Sequence, residues 1–302
     1  MENSTVKRIQ ELKKARNAVI LAHNYELPEV QEIADFRGDS LELARIASKT
    51  DAKIIVYCGV DFMAETASIL CPRAMVLMPD RTATCPMANM LSAEQLEDLK
   101  AKHPDAAVIG YVNSSAAVKA HLDACCTSSN AIAVVNAYKS VKEIIFVPDK
   151  NLADYVSKKT GRSLIAWKGF CPTHIKILPE DIARQKKLHP HAKVLVHPEC
   201  LPEVVAMADE VLSTSGMGVY AKKTTAKEMI IGTETDMVYR LKQDHPEKIF
   251  YPASIRAVCP NMKKITLNKI LVSLETLRHE VRVSDDIRLR ARKAIDRMLE
   301  IV

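Results

Sequence analysis

Three cysteines, Cys85, Cys171 and Cys259, stand 86 and 88 residues apart, and each is followed directly by proline. A second set of markers keeps the same interval. Ser40, Ser128 and Thr214, 88 and 86 residues apart, lie in the small polar clusters Gly38-Asp39-Ser40, Cys126-Thr127-Ser128 and Ser213-Thr214-Ser215. An apolar segment precedes each cluster: Ala18-Val-Ile-Leu-Ala-His23, Ala107-Val-Ile-Gly-Tyr-Val112 and Lys193-Val-Leu-Val-His197. A second apolar run follows it (53–57, 143–147, 228–231), and a third run ends in the cysteine. Two independent marker sets on one period make the chain three related units, and such a period constrains the fold more than any local pattern.

The apolar runs are short and rich in Val and Ile, and helical patterns separate them. Examples are Leu41, Ala44, Arg45 and Ala47 after Ser40, and Leu91 to Ala101 behind a Ser92…Gln95 capping box. Buried strands alternating with helices predict parallel sheets covered on both faces, hence an α/β protein of three strands per unit. The breaks fall near Cys85 and Cys171, giving units 1–85, 86–171 and 172–260, with Pro86, Pro172 and Pro260 stopping each third strand. The tail 261–302 has helical spacing (Leu267, Leu271, Leu274; Ile287, Ala291, Ile295, Leu299) and is expected to pack back on the first unit.

In open α/β sheets ligands sit beyond the carboxyl ends of the strands. Three cysteines at equivalent ends therefore converge on a pseudo-threefold axis. The Met1 to Ile20 stretch is charged and amphipathic without a secretory core, and no run nears the roughly 18 apolar residues that span a bilayer, so a cytoplasmic location and no membrane partner are expected. In a reducing compartment eight cysteines are not read as disulfides. Three thiolates hold either zinc or an iron–sulfur cluster with one iron left open; wide, equal spacing and the absence of a CxxC pair favour the cluster. Cys58, Cys71, Cys125, Cys126 and Cys200 are off-phase and read as packing residues.

Polar groups at the first strand ends would ring this centre: His23, Asn24 and Tyr25; Tyr111, Asn113 and Ser114; His197 and Glu199. Ser40, Ser128 and Thr214 are expected to cap helices whose amides hold a carboxylate or phosphate. A net charge of +6 without a Lys/Arg tract suits small anions, and 5% aromatic residues with no helix-turn-helix pattern argue against nucleic acid and against an iron–sulfur sensor. An aconitase-like hydro-lyase would also use an open iron, but would leave the His-Asn-Tyr and Tyr-Val-Asn-Ser sets without a purpose. The residues alone thus lead to a cluster-dependent lyase or transferase acting on anionic metabolites.

One family shares these residues in this order. His23-Asn24-Tyr25 with Leu27-Pro28-Glu29, Gly38-Asp39-Ser40-Leu41, Gly59-Val60-Asp61-Phe62-Met63-Ala64-Glu65, Thr84-Cys85-Pro86-Met87-Ala88-Asn89, Tyr111-Val112-Asn113-Ser114, His197-Pro198-Glu199 and Cys259-Pro260-Asn261-Met262-Lys263 resemble the quinolinate synthases of NAD biosynthesis. The resemblance covers nearly the whole chain. It implies three α/β/α sandwich domains around a [4Fe–4S] cluster bound by Cys85, Cys171 and Cys259, with an open iron as Lewis acid. It also implies the condensation of iminoaspartate, supplied by an aspartate oxidase or dehydrogenase, with dihydroxyacetone phosphate to give quinolinate, phosphate and two waters. Substrate contacts carry over to His23, Ser40, Tyr111, Val112, Asn113, Ser128, His197, Pro198, Glu199 and Thr214. Tyr25 matches the active-site tyrosine, and Tyr25, His23, Glu199 and His197 are the candidate proton carriers. Phe170 stands where relatives often have His, and Ser129 where they tend to have Ala.

Overall fold

The computed structural model describes residues 2–301; Met1 and Val302, the outermost residues of the N-terminal stretch and the tail, lie outside the described residues. Among the described residues twelve short strands form three sheets. The first holds β1 (Ala18–His23), β2 (Phe36–Gly38), β3 (Ile54–Cys58) and β4 (Met75–Leu77) in the order β2-β1-β3-β4. The second holds β5 (Ala107–Tyr111), β6 (Ala124–Cys126), β7 (Ile144–Val147) and β8 (Ile165–Ala166) in the order β6-β5-β7-β8. The third holds β9 (Lys193–Val196), β10 (Glu210–Val211), β11 (Glu228–Gly232) and β12 (Ile249–Pro252) in the order β10-β9-β11-β12. Every pairing within these sheets is parallel. The central strands are buried almost throughout, as continuous apolar runs in helix-covered parallel sheets must be. The chain is an α/β protein of three sheets flanked by helices.

The expected three strands per unit are corrected to four. The extra strand is β2, β6 or β10, at one edge of its sheet, two or three residues long and with no repeated cysteine after it to mark it. One aspartate before each edge strand repeats on the same interval and anchors the neighbouring strand. Asp35, Asp123 and Asp209 accept the backbone N–H of Ile20, Val108 and Val194 at 2.8, 2.7 and 2.8 Å.

The capping box at Ser92 and Gln95 opens helix Ala93–Lys102. The tail forms two helices. Leu267–Thr276 lies against the N-terminal helix Glu2–Ala15, and Asp285–Glu300 buries Ala291, Ala294, Ile295 and Met298 against β6 and the helices Ala116–Lys119 and Asp61–Leu70. The tail therefore leans on both the first and the second sheet. Asn130, with Nδ2 donating to the carbonyls of Met298 and Ile301 at 3.0 Å each, ties its end down. No helix among the described residues is long and apolar enough to cross a membrane.

Candidate active site

Each cysteine is placed by the same two devices. Two residues before it, a carbonyl is held by the segment that follows β3, β7 or β11: the N–H groups of Asp61, Lys150 and Thr235 donate to Ala83, Gly169 and Ala257 at 3.0, 2.9 and 3.0 Å. After it, the Cys-Pro step enters a 3-10 turn at Ala88–Met90, His174–Lys176 or Met262–Lys264, closed by Asn89, Ile175 and Lys263 donating to the cysteine carbonyl at 3.2, 3.2 and 3.4 Å. The prolines do not end the strands as expected. Strands β4, β8 and β12 stop earlier, at Leu77, Ala166 and Pro252, and the prolines lead into the turns. These turns aim amide N–H groups at sulfur: Ala88 at Cys85, Thr173 and His174 at Cys171, Asn261 and Met262 at Cys259.

The three cysteines are unpaired, partly buried, and line one cavity of about 150 Å³. Burial pushes the Cys85 thiol up to about 12 and raises Cys171 and Cys259 as well. None of Cys58, Cys71, Cys125, Cys126 or Cys200 lines this cavity. Four of them are buried, and Cys71 gives its S–H to the carbonyl of Ala47 at 2.7 Å.

Beside the cysteines runs a buried polar network. Tyr25 O–H lies 2.6 Å from Thr233 Oγ1, Thr233 Oγ1 lies 2.8 Å from His174 Nε2, and His174 Nδ1 lies 2.8 Å from Glu199 Oε2 and 3.2 Å from Cys171 Sγ. The other carboxylate oxygen, Oε1, accepts the Tyr111 hydroxyl at 2.5 Å. An ionised Glu199 only accepts, which places the His174 proton on Nδ1 and leaves Nε2 to accept from Thr233. Burial pushes the Glu199 carboxyl up, but the adjoining His174 and the Tyr111 hydroxyl outweigh it and hold the group below the usual carboxylate range. Burial, then the Glu199 charge, raises both Tyr25 and Tyr111 well above 10.

The first and third sheets end in matching histidines. The Tyr25 N–H donates to His23 Nδ1 at 3.2 Å and the Glu199 N–H to His197 Nδ1 at 3.4 Å, so the backbone fixes both rings with the proton on Nε2. From there His197 reaches Ser128 Oγ at 3.1 Å, while its ring stacks on His174 with centroids 4.7 Å apart. Burial lowers His23 to about 4 and His197 to about 3, so both are neutral near pH 7.

Ser40, Ser128 and Thr214 line the same cavity. They are not the helix caps that the sequence predicts. Asp39 caps helix Ser40–Ala47 and Ser213 caps helix Thr214–Lys223, so Ser40 and Thr214 are first helical residues; Ser128 lies in the turn before Ala131–Ala137. In a run of consecutive polar residues only backbone conformation decides which one caps: Asp39 and Ser213 are extended. Ser129 Oγ lies 2.9 Å from Asp39 Oδ2 and 2.8 Å from Ser213 Oγ, so this side chain joins the loops that follow β2, β6 and β10 of the three sheets. Phe170 has Lys150 Nζ 5.5 Å from its ring centre and does not line the cavity.

His23, Tyr25, Ser40, Tyr111, Asn113, Ser128, His197, Glu199 and Thr214 thus share the cavity with the cysteines, whereas Val112 lines a small pocket behind Ser40 and Pro198 is buried away from both. The sequence does not single out His174 or Thr233, and it carries Asp39 and Lys263 only inside longer motifs without a role of their own; Lys263 pairs with Glu234 at 2.9 Å and Asp236 at 2.5 Å and bonds the Tyr25 carbonyl. A histidine three residues past an in-phase cysteine is the one signal that was open to reading.

The family model of the quinolinate synthetase A protein matches residues 7–300. Quinolinate synthase 1 of Methanosarcina acetivorans is 54% identical over 296 residues, which cover 98% of this chain and 97% of the relative. The quinolinate synthase of Dehalococcoides mccartyi is 54% identical over 295 residues, 98% and 97% of the two chains, and that of Thermodesulfovibrio yellowstonii 54% over 303 residues, 100% of each. A Plasmodium falciparum E-1-hydroxy-2-methyl-but-2-enyl-4-diphosphate reductase structure aligns at a TM-score of 0.30 and 14% identity, too slight a likeness to carry any argument. With a match from residue 7 to residue 300 and relatives of equal length, the chain belongs to the quinolinate synthetase A protein family.

Proposed function

We propose that this chain condenses iminoaspartate with dihydroxyacetone phosphate to quinolinate, releasing phosphate and two waters, in the cytoplasm and as a step of NAD biosynthesis. The observation that carries this reading is the meeting of Cys85, Cys171 and Cys259 in one cavity with the Tyr25–Thr233–His174–Glu199 network. On this reading each cysteine closes one of the units 1–85, 86–171 and 172–260, so the centre needs all three.

The donor set fits a [4Fe–4S] cluster. Three unpaired cysteines come from three separated turns, and amide groups aimed at sulfur suit bound thiolates. Such a cluster leaves one iron without a protein ligand, and that iron supplies Lewis acidity toward a hydroxyl, carboxylate or ring nitrogen.

The chain's own residues do the rest. Ser40, Ser128 and Thr214 hold carboxylates and phosphate with hydroxyls and nearby amides. Asn113 Oδ1, buried without a partner among the described residues, accepts a substrate N–H or O–H. Tyr25 gives or takes a proton at its phenol oxygen. Thr233 passes that proton to or from His174 Nε2, while Glu199 steadies the charge that then develops on the imidazole. His23, neutral and with the proton on Nε2, serves as a further donor at the cavity wall, while His197 gives its Nε2 proton to Ser128 Oγ and so orients that hydroxyl.

A second reading also rests on an observation: ligand atoms of Cys171, His174 and Glu199 lie within 4.8 Å of one another, as for a mononuclear metal. It leaves Cys85 and Cys259 idle. An anaerobic assay supplying iminoaspartate and dihydroxyacetone phosphate tests the proposal: quinolinate and phosphate form in equal amounts. A protein with its metal centre intact that forms no quinolinate overturns it.

A further inference from the structure

Asn24 neighbours Tyr25 just past β1, and is 3% exposed. Its Nδ2 donates to Thr214 Oγ1 at 3.0 Å, across the boundary between the first and third units. Its Oδ1 accepts from Arg240 Nη1 at 3.4 Å, and Arg240 is itself held by Asp244 at 2.5 Å through Nε. A guanidinium only donates, so Arg240 decides which end of the Asn24 amide faces it and therefore which end faces Thr214. The Thr214 oxygen then accepts from Asn24, and among the described residues the Thr214 proton has no acceptor of its own. Thr214 is buried and lines the cavity.

We infer that Asn24 is a positioning residue that fixes Thr214 as a hydrogen-bond donor into the cavity, so that this corner takes a carboxylate or phosphate oxygen and refuses a donor. The inference rests on the proposed role of Thr214 as a substrate contact. Without the Asn24 amide, the Thr214 hydroxyl turns freely, and a bound anion must order it at the entropic cost of immobilising one side-chain rotor.

The test is titration of the anaerobically prepared holoprotein with phthalate, an aromatic dicarboxylate. Thr214→Val and Asn24→Ala should each weaken binding about tenfold, about 1.4 kcal/mol. If Asn24 acts through Thr214, the double variant binds no more weakly than Thr214→Val alone. Asn24→Asp preserves shape but only accepts; it captures the Thr214 proton and should bind phthalate more weakly than Asn24→Ala. A purely structural Asn24 gives the reverse order, and that order, an additive double variant or a normal affinity in Asn24→Ala overturns the inference. A normal affinity in Thr214→Val overturns the Thr214 contact of the proposed function and this inference with it, while leaving quinolinate formation to its own assay. Should Asn24→Ala fail to fold, Arg240→Met frees the amide from its outer end, and a loss of about threefold is expected in the wild-type background but none with Thr214→Val; equal losses in both backgrounds overturn the inference.

Discussion

The phenol oxygen of Tyr25 lies 2.6 Å from Oγ1 of Thr233, 208 residues further along the chain. Tyr25 follows β1, Thr233 follows β11, and the third partner, His174, stands in the turn beyond β8. The relay thus draws on strand ends of all three sheets and exists only when they are docked. That arrangement explains why no short motif announces it.

Thr233→Val keeps the size of the side chain and removes the hydroxyl that joins Tyr25 to His174. Quinolinate formation should fall about 10²–10⁴-fold, the usual contribution of general acid–base groups, with the cluster spectrum unchanged. Thr233→Ser should restore most of the rate. Steady-state kinetics beside the visible absorption spectrum decide it, and a near-normal rate in Thr233→Val removes the relay from the account.

The buried histidines make stability depend on acid. His23 at about 4 and His197 at about 3 lie below the ordinary 6.5, so the unfolded chain binds more protons than the folded one once the pH falls under 6.5. Their contribution is complete above 6.5 and is lost as the pH falls toward about 4 for His23 and about 3 for His197, at up to about 1.4 kcal/mol per pH unit for each histidine. Urea unfolding at a series of pH values should show His23→Asn losing less stability than wild type over this interval. Parallel curves for the two proteins contradict the buried neutral state of His23.

Asp39 caps helix Ser40–Ala47 through Oδ1 and receives Ser129 through Oδ2. Asp39→Ala should therefore destabilise the protein by about 1 to 2 kcal/mol, the upper range for loss of an N-cap, read as a lower urea midpoint at unchanged slope. A midpoint equal to that of wild type means that Asp39 contributes no net stability.

What the sequence makes legible follows from what repeats. The cysteine interval, the two central strands of each sheet and the capping box at Ser92 recur or carry fixed chemistry, and the structure has them where the period places them. The edge strands β2, β6 and β10 escape because their two or three residues hold no periodicity and, unlike the equally short β4 and β8, they lead to no repeated cysteine. His174 escapes because Ala88 and Met262 begin the sister turns, and Thr233 because Gly59 and Pro148 follow the sister strands β3 and β7. Symmetry in the chain exposes the cysteines that recur in all three units and conceals residues such as His174 and Thr233, which have no counterpart in the other two.

Quinolinate and phthalate carry the same adjacent carboxylates, but only quinolinate has a ring nitrogen. If that nitrogen meets an open iron, phthalate binds at least about tenfold more weakly, about 1.4 kcal/mol, and only quinolinate perturbs the cluster spectrum. Equal affinities with silent spectra, measured by titration under anaerobic conditions, leave the cluster a structural part.

The central claim, that three cysteines from three repeated units hold one cluster, is tested most directly by metal analysis of anaerobically purified protein and its cysteine variants. The wild-type protein should hold about four irons, the count of a [4Fe–4S] centre. Cys85→Ser, Cys171→Ser and Cys259→Ser should each lose the cluster, and Cys58→Ser and Cys71→Ser should retain it. One zinc per chain without iron, or full iron content in any of the first three variants, contradicts the account.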